Sequence, residues 1–501
     1  MYSPDFVDFE AYARKGNLIP VYREILADIE TPVSVLRKLQ NEEYVYLLES
    51  VEGGEKWGRY SFIGAGAGLI FRVRDAQVII EEKGKSRIIE HEGRPLDLLR
   101  EILARYRPVA TPGLPRFFGG AVGYLGYDMV RYFEKLPAPP PDDLHLDDAV
   151  FVMSDALIIF DNRRHTIKVV ACSFTGEGKS PQEAYEAACR KIDEMVDLLS
   201  APARKTEVVT PAEAEPFVPD MTPEEFKQKV KKAKEYVAAG EAIQVVLSQR
   251  FSAACQTDAV DLYRGLRYIN PSPYLFLLKL ADLTLIGSSP EVMVRLDHTD
   301  VELRPIAGTR RRGRTEQEDR ALADELLSDE KERAEHVMLV DLGRNDLGRI
   351  AAAGSVQVNQ FMVVEKYSHV MHLVSNVRAQ LDEGKDAFDV LAATFPAGTL
   401  SGAPKVRAMQ IIDELEPVRR GPYGGAVGYV SFSGSMDLCI TIRTMILKQG
   451  RIFVQAGAGI VHESDPEMEY LEVINKSRAM QTAVRLATGG FVLENGAGSE
   501  K

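Results

Sequence analysis

Apolar and polar positions divide this chain into two stretches with different rhythms. Ahead of residue 201, short apolar runs separated by turn residues dominate: YVYLLESV, RYSFIGAG, LIFRV, AQVIIEE, SRIIEHE, AVFVMS, ALIIFD and TIKVVACSF. Runs of this length, bounded by turn residues, predict β-strands. Residues 201 to 222, APARKTEVVTPAEAEPFVPDMT, are rich in Pro and charge and carry no pattern, so they read as a surface connection. The expected division is an N-terminal subdomain at 1–215, a second region at 216–488 and a flexible tail at 489–501.

Beyond the connection, helix and strand patterns mix. A helix is predicted near residues 223 to 239, capped by Thr222 with Pro223 in its first turn. Later, GGAVGYVSFSG, LCITIRTMILKQG and RIFVQAGAG read as three strands joined by tight turns, one of them at Gln449 and Gly450. Consecutive strands with short loops predict antiparallel sheet. The string GGAVGY occurs at 119 to 124 and again at 424 to 429, and each copy leads into a long hairpin. A duplicated half and a recurring strand-packing solution both account for it.

Composition narrows the function. The 501 residues exceed what one hydrophobic core usually supports, and 45% hydrophobic with 27% charged residues is ordinary for a globular protein. With 61 Lys and Arg against 74 Asp and Glu, the net charge of -13 disfavours nucleic acid or an anionic membrane as the main partner. Four cysteines, at 172, 189, 255 and 439, lack zinc-type spacing, and no apolar run has the length of a membrane span. Reduced thiols and an acidic N-terminus without signal-peptide order lead to the expectation of a cytoplasmic protein.

Candidate chemistry concentrates in the second region. Glu332 with Glu335 and Glu469 with Glu472 are two Glu-x-x-Glu pairs, each on one face of a predicted helix. If the helices face each other, four carboxylates converge, a set of oxygen donors suited to Mg2+. Lys476 continues the second stripe, although with Glu472 it also reads as an ordinary ion pair. Gly457 and Gly459 in QAGAGIV are placed where a strand ends and a loop opens. Arg443 is read as a charge inside an apolar strand, suited to holding a carboxylate. FPAGTLSGAPK offers hydroxyl and backbone donors before a helix, and Glu291 follows a strand end in GSSPE. His372 lies on an apolar stretch, and the Arg run at 310 to 314 reads as a solvated loop. No cysteine lies in a nucleophile turn, so a glutaminase site is not expected.

Together, IQVVLSQR, GSSPE, LRPIAGTRRRG, EHVMLVDLGRNDLGR, SHVMHLVS, FPAGTLSGAPK, GPYGGAVGY, ITIRT, QAGAGIV and ExxExxxK resemble the chorismate-utilising enzymes, most closely their anthranilate synthase component I members. The match is dense from about residue 222 to 487 and looser before it. The resemblance implies an α+β fold, two large antiparallel sheets packed as a sandwich with helices outside. It implies that Glu335 and Glu472 hold Mg2+, with Glu332 and Glu469 on its waters, and that the ion grips the ring carboxylate of chorismate. Lys476 and the backbone of Gly457, Ala458 and Gly459 would assist there, Arg443 and Tyr423 would hold the enolpyruvyl carboxylate, and Gly308, Thr309 and Thr399 would line the pocket. Glu291 would be the general acid for the leaving hydroxyl and His372 the base at C2.

Two positions separate the relatives. Those that add water carry a lysine where this chain has Gln244, and those that make aminodeoxychorismate commonly carry one where it has Ala307. The implied product is anthranilate, with ammonia from a glutamine amidotransferase subunit in a hetero-oligomer such as a heterotetramer. Aminodeoxychorismate synthase component I and a non-catalytic chorismate-binding subunit are the alternatives. Glu49 and Ser50, with Pro271 and Tyr274, resemble a feedback site for tryptophan.

Overall fold

Alternating apolar positions need a surface to bury against, and here the strands supply it to one another. In this computed structural model, which describes residues 1–50, 58–154, 156–176, 178, 180–202, 213–367 and 370–491, the strands form two large antiparallel sheets packed face to face. The first half contributes β1 (Leu18–Leu26), β2 (Tyr44–Glu49), β3 (Tyr60–Ala65), β4 (Leu69–Arg74) and β5 (Gln77–Glu82). It continues with β6 (Lys85–Glu90), β7 (Gly120–Leu125), β8 (Ala149–Met153), β9 (Ala156–Asp161) and β10 (Thr166–Phe174). The second half supplies β11 (Val218–Pro219), β12 (Gln244–Ala254), β13 (Tyr274–Leu280), β14 (Leu283–Ser289), β15 (Val292–Asp297), β16 (Asp300–Leu303) and β17 (Ile306–Arg311). Then come β18 (Gln357–Lys366), β19 (Val370–Gln380), β20 (Gly402–Ala403), β21 (Ala426–Ser431), β22 (Met436–Ile440), β23 (Thr444–Lys448) and β24 (Arg451–Ile460).

One sheet runs β1-β10-β9-β3-β2-β13-β14-β23-β24-β12-β11, with β20 added on β12. The other runs β6-β5-β4-β8-β7-β21-β22-β15-β16-β19-β17, with β18 also on β19. Each order repeats itself outward from a central seam, β2 against β13 in one and β7 against β21 in the other. The two GGAVGY strands are that second seam, and Gly123 sits directly opposite Gly428. A Cβ on Gly123 would lie 1.8 Å from the Val150 carbonyl oxygen, and one on Gly428 2.1 Å from that of Asp437, so both positions require glycine. Matching order across five strands on each side of each seam is what a duplicated half-fold produces, and a single recurring strand pair does not reach so far. Both sheets hold strands from either side of residue 215, while residues 203–212 of the Pro-rich connection and 492–501 of the tail lie outside the described residues.

Tyr46, Ile70, Val122, Tyr124, Val152, Phe276 and Ile446 form the core between the sheets. Helices cover the outer faces. They are α1 (Phe6–Ala13), α2 (Pro32–Leu39), α3 (Pro95–Ala104) and α4 (Pro181–Ser200) in the first half. In the second they are α5 (Pro223–Ala238), α6 (Ala259–Ile269), α7 (Glu316–Ser328), α8 (Glu330–Gly348), α9 (Ala387–Thr394), α10 (Gly398–Ser401), α11 (Lys405–Leu415) and α12 (Pro466–Thr488). Val35, Leu36, Ile192, Leu262 and Val484 seal one face, and Leu99, Ile102, Val340, Leu347 and Leu391 the other. Each such side chain contributes about 1.5–3 kcal/mol by leaving water. The helix expected at 223 to 239 is present with a reciprocal cap between Thr222 and Glu225.

The segment read as one strand around Arg443 is broken instead: β22 ends at Ile440 in one sheet and β23 begins at Thr444 in the other. The chain crosses between sheets there, with Arg443 at φ +50°, because an apolar run that must serve two sheets has to turn between them. Between β16 and β19 the second half carries β17, α7, α8 and β18, a segment the first half lacks. It brings in the first glutamate pair.

Candidate active site

Two helix starts carry the acidic pairs, which feel each other's charge without converging into one four-carboxylate group among the described residues. Asp329 caps α8, its carboxylate accepting from the backbone N–H of Lys331 and Glu332, and Asp465 caps α12 through Glu467 and Met468. Burial pushes the Glu335 carboxyl up, and the negative charges of Glu332 and Glu472 add to the push while Lys476 opposes it. Carboxylates from both helices therefore share one field. Glu469 is raised by burial and by Glu472 in the same way. The ordinary i to i+4 pair is also present, Lys476 Nζ lying 2.6 Å from Glu472 Oε1, and the same ammonium donates to the Gly457 carbonyl at 3.1 Å.

The Arg run is not a solvated loop. Arg310 and Arg311 belong to β17, and the Arg310 guanidinium bonds Glu325, Asp329 and Glu332 at 2.8 to 3.2 Å. A strand edge facing the acidic start of α8 needs a fixed cation, and Arg310 supplies it while aiming Glu332. His336, one residue past Glu335, is wholly buried and bonds Ser375 Oγ at 2.6 Å, tying α8 to β19. The sequence reading passed over His336, whose only signal was its place on the inward stripe with Leu339, Val340 and Gly343.

These donors fit Mg2+. Paired carboxylates whose repulsion is uncompensated by enough cationic charge gain from a divalent ion, and all are hard oxygen donors. Among the described residues no three His, Cys, Asp or Glu side chains form a ready-made cage. Mg2+ does not ask for one, since it takes one or two carboxylates and completes its shell with water and substrate oxygen.

Side chains from both sheets supply the other candidate groups. Glu291 sits where the chain crosses from β14 to β15, is 8% exposed, and burial raises its carboxyl to about 8 against smaller opposing effects of Thr399 and Lys476. His372 points inward from β19, with Nδ1 2.9 Å from the Gly308 carbonyl and 3.1 Å from Thr309 Oγ1. A carbonyl only accepts, so Nδ1 carries the proton and Nε2 keeps its lone pair. Burial lowers this imidazole, which keeps it neutral with the Nε2 lone pair free of a proton. Burial also lowers Arg443, with Tyr423 opposing, and the Arg443 charge in turn lowers His372.

Gly457 and Gly459 lie inside β24, where they pair with Ser248 and Val246 of β12, and no loop opens at them. Their role is clearance: a Cβ on Gly457 would stand 2.8 Å from Tyr423 Oη, and one on Gly459 2.0 Å from Gln244 Nε2. Gln244 is buried with its amide oxygen unpartnered among the described residues, and Ala307 is buried on β17 beside the His372 strand. Ala458, between the glycines, turns outward into the core under α5 and α11.

At the β2–β13 seam Glu49 and Tyr274 lie on opposite faces of the sheet, Glu49 toward α6 and Tyr274 in the core between the sheets. Glu49, paired in register with Leu275, accepts from Tyr263 Oη at 2.7 Å and from Arg267 Nε and Nη2 at 2.8 and 3.0 Å. Tyr274 Oη donates to Asp437 Oδ1 at 2.8 Å and accepts from Arg295 at 3.1 Å. Ser50 follows Glu49 directly, and Pro271 lies three residues ahead of Tyr274.

Comparison with known proteins decides the family. The model of the chorismate binding enzymes matches residues 46–482. The chain belongs to that family. Within it, the chain is 51% identical over 476 residues to an anthranilate synthase component 1 of Aquifex aeolicus, covering 94% of this chain and 95% of that protein. It is 46% identical to one from Acetivibrio thermocellus, covering 97% and 99%. The crystal structure of anthranilate synthase component I from Streptococcus pneumoniae superposes with a TM-score of 0.77 at 38% identity, covering 91% of this chain and 98% of that one. The sandwich of two antiparallel sheets with outer helices is thus the fold of this family. No helix among the described residues is long and apolar enough to cross a membrane.

Proposed function

We propose that this protein is the aminating subunit of anthranilate synthase, converting chorismate and ammonia to anthranilate, pyruvate and water with Mg2+. What supports this reading most is Glu291, raised by burial to about 8 and within reach of the Lys476 charge that also acts on Glu335, together with a His372 lowered by burial and by Arg443. Glu335 and Glu472 would hold the ion and Glu332 and Glu469 its waters; bound there, it supplies positive charge for the ring carboxylate of chorismate.

In the first step ammonia attacks C2 while the ring double bonds shift and the C4 hydroxyl departs as water, taking its proton from Glu291. In the second, the His372 Nε2 lone pair removes the C2 proton, the bond from the ring carbon to the enolpyruvyl oxygen breaks and the ring becomes aromatic, and the released enolpyruvate takes up a proton at its methylene carbon to leave as pyruvate. Arg443 and Tyr423 orient the enolpyruvyl carboxylate throughout, a fork and a hydroxyl suited to that anion. Gln244 offers no amine base to activate water, and Ala307 no nucleophile to form a covalent adduct, which favours direct amination at C2 over the relatives' other outcomes.

No cysteine of this chain serves glutamine hydrolysis, so we assign the ammonia supply to a separate glutamine amidotransferase subunit in a hetero-oligomer, and the protein to the cytoplasm. We assign Glu49, Ser50, Pro271 and Tyr274 to tryptophan as feedback inhibitor. Incubation with chorismate, Mg2+ and ammonium at alkaline pH tests the reading: anthranilate fluorescence is expected, while a non-aromatic amine product, or no turnover, would overturn it.

A further inference from the structure

Behind the pocket lies a buried ion pair that the chemistry above does not use. Arg420 and Glu416, four residues apart just after α11, are 2% and 6% exposed. Arg420 Nε and Nη2 donate to the two Glu416 oxygens at 2.8 and 2.7 Å. Its Nη1 donates to the Leu400 carbonyl at 2.6 Å and its Nη2 to the Val246 carbonyl at 2.8 Å. The guanidinium lies over the Tyr127 ring at 4.5 Å and beside the Tyr423 ring at 5.6 Å. Glu416 Oε1 also accepts from the backbone N–H and the hydroxyl of Ser248, both at 2.8 Å.

Apart from that with Tyr127, these contacts reach segments that carry candidate site residues. Leu400 follows Thr399, Val246 is the register partner of Gly459 and lies two residues beyond Gln244, and Ser248 is the partner of Gly457. Tyr423 is the ring whose hydroxyl approaches Gly457. One planar fork thus links the Thr399 segment, the Gln244 strand and Tyr423 in fixed directions, which the single ammonium of a lysine does not reproduce. A buried pair of charges is a poor source of stability, because well-packed apolar groups of similar volume do as well or better.

We propose that Arg420, held by Glu416, is a positioning residue of the substrate pocket, setting the placement of Thr399, Gln244 and Tyr423 without touching substrate. This rests on the chorismate reading above, and the test separates the two. Turnover of chorismate with ammonium is measured first for the unaltered protein, and its absence would sink the functional reading. Arg420→Lys and the double variant Arg420→Met with Glu416→Met are then compared for thermal unfolding, KM for chorismate and kcat.

The double variant removes both charges together, so an unfolding temperature close to the parent's is expected. KM is expected to rise about tenfold in both variants while kcat falls by less than about threefold. A purely structural pair predicts instead that the double variant recovers KM together with stability, and a folded variant with the parent's KM would overturn the proposal. Should neither charge variant yield soluble protein, Ser248→Ala decides, since it removes only one hydroxyl from Glu416. A KM raised about threefold supports the positioning role, and an unchanged KM overturns it.

Discussion

The two halves of this molecule share a strand order yet differ wherever the pocket is concerned. Helices α4 and α12 make the comparison sharpest. Counted from their caps, Ser180 and Asp465, both begin with proline, both carry a tyrosine at the fifth position, Tyr185 and Tyr470, and both carry a lysine at the eleventh, Lys191 and Lys476. At the fourth and seventh positions, however, α12 has Glu469 and Glu472 where α4 has Ala184 and Ala187. The inward positions near the end of β10 are Cys172 and Phe174, whereas β24 offers Gly457 and Gly459. Phe118 precedes the first GGAVGY glycine pair and Tyr423 the second. In the first half the space is filled, and the Cys172 thiol donates to the Phe118 carbonyl at 3.3 Å. One scaffold carries alanine, cysteine and phenylalanine at these positions in one half and glutamate, glycine and tyrosine in the other, so the chemistry comes from a few side chains rather than from the sheet order.

The comparison breaks most severely at the glutamates. Glu335→Ala or Glu472→Ala is expected to lower turnover on the order of a thousandfold with unfolding temperature nearly unchanged, and removal of Mg2+ by a chelator should match that loss. Metal-independent turnover in either variant would defeat the assignment.

Next in size is Glu291→Gln, for which kcat should fall on the order of a hundredfold or more. The same variant has a signed effect on stability. Burial lifts the folded-state carboxyl from 4.5 to about 8, so the folded protein holds a proton that the unfolded chain releases earlier. Stability from this group is present below the unfolded value and is lost as pH rises toward about 8. Glu291→Gln should therefore unfold a few degrees higher than the parent at pH 9 and show no such gain at pH 4, by calorimetry. Equal shifts at both pH values would remove the buried acid from the account.

Clearance is tested by Gly459→Ala, whose new methyl meets the Gln244 amide; KM for chorismate should rise about tenfold, and an unaltered KM would show that Gln244 moves freely. Ser50→Phe should abolish inhibition by tryptophan while turnover stays near the parent's, and undiminished inhibition would take Ser50 out of that site. Smallest of all, Ala187→Glu places a glutamate on the exposed side of α4, and neither turnover nor unfolding temperature should change measurably.

Much of this was legible in the residues themselves. The strand runs, the caps at Thr222 and Asp465 and the glutamate spacing are local signals, set by turn chemistry and by the helical repeat over three or four residues. Other features escaped because they depend on partners distant in sequence. Arg310 looked like one of several solvent-facing arginines until α8 placed three carboxylates around it. Arg443 read as a strand residue because apolar alternation does not reveal that the strand changes sheets. Gly457 and Gly459 looked like a loop because nothing nearby in the chain shows that Tyr423 and Gln244 press against them.

By itself the sequence determined the antiparallel strand-rich halves, the helix starts and the residue types that the chemistry requires. Tertiary structure decided that the halves join across shared seams, that the two glutamate helices feel each other's charge, and that Glu291 keeps its proton. The division follows from range: propensity, capping and periodicity act over a few residues, whereas desolvation and charge coupling exist only once segments hundreds of residues apart are packed together.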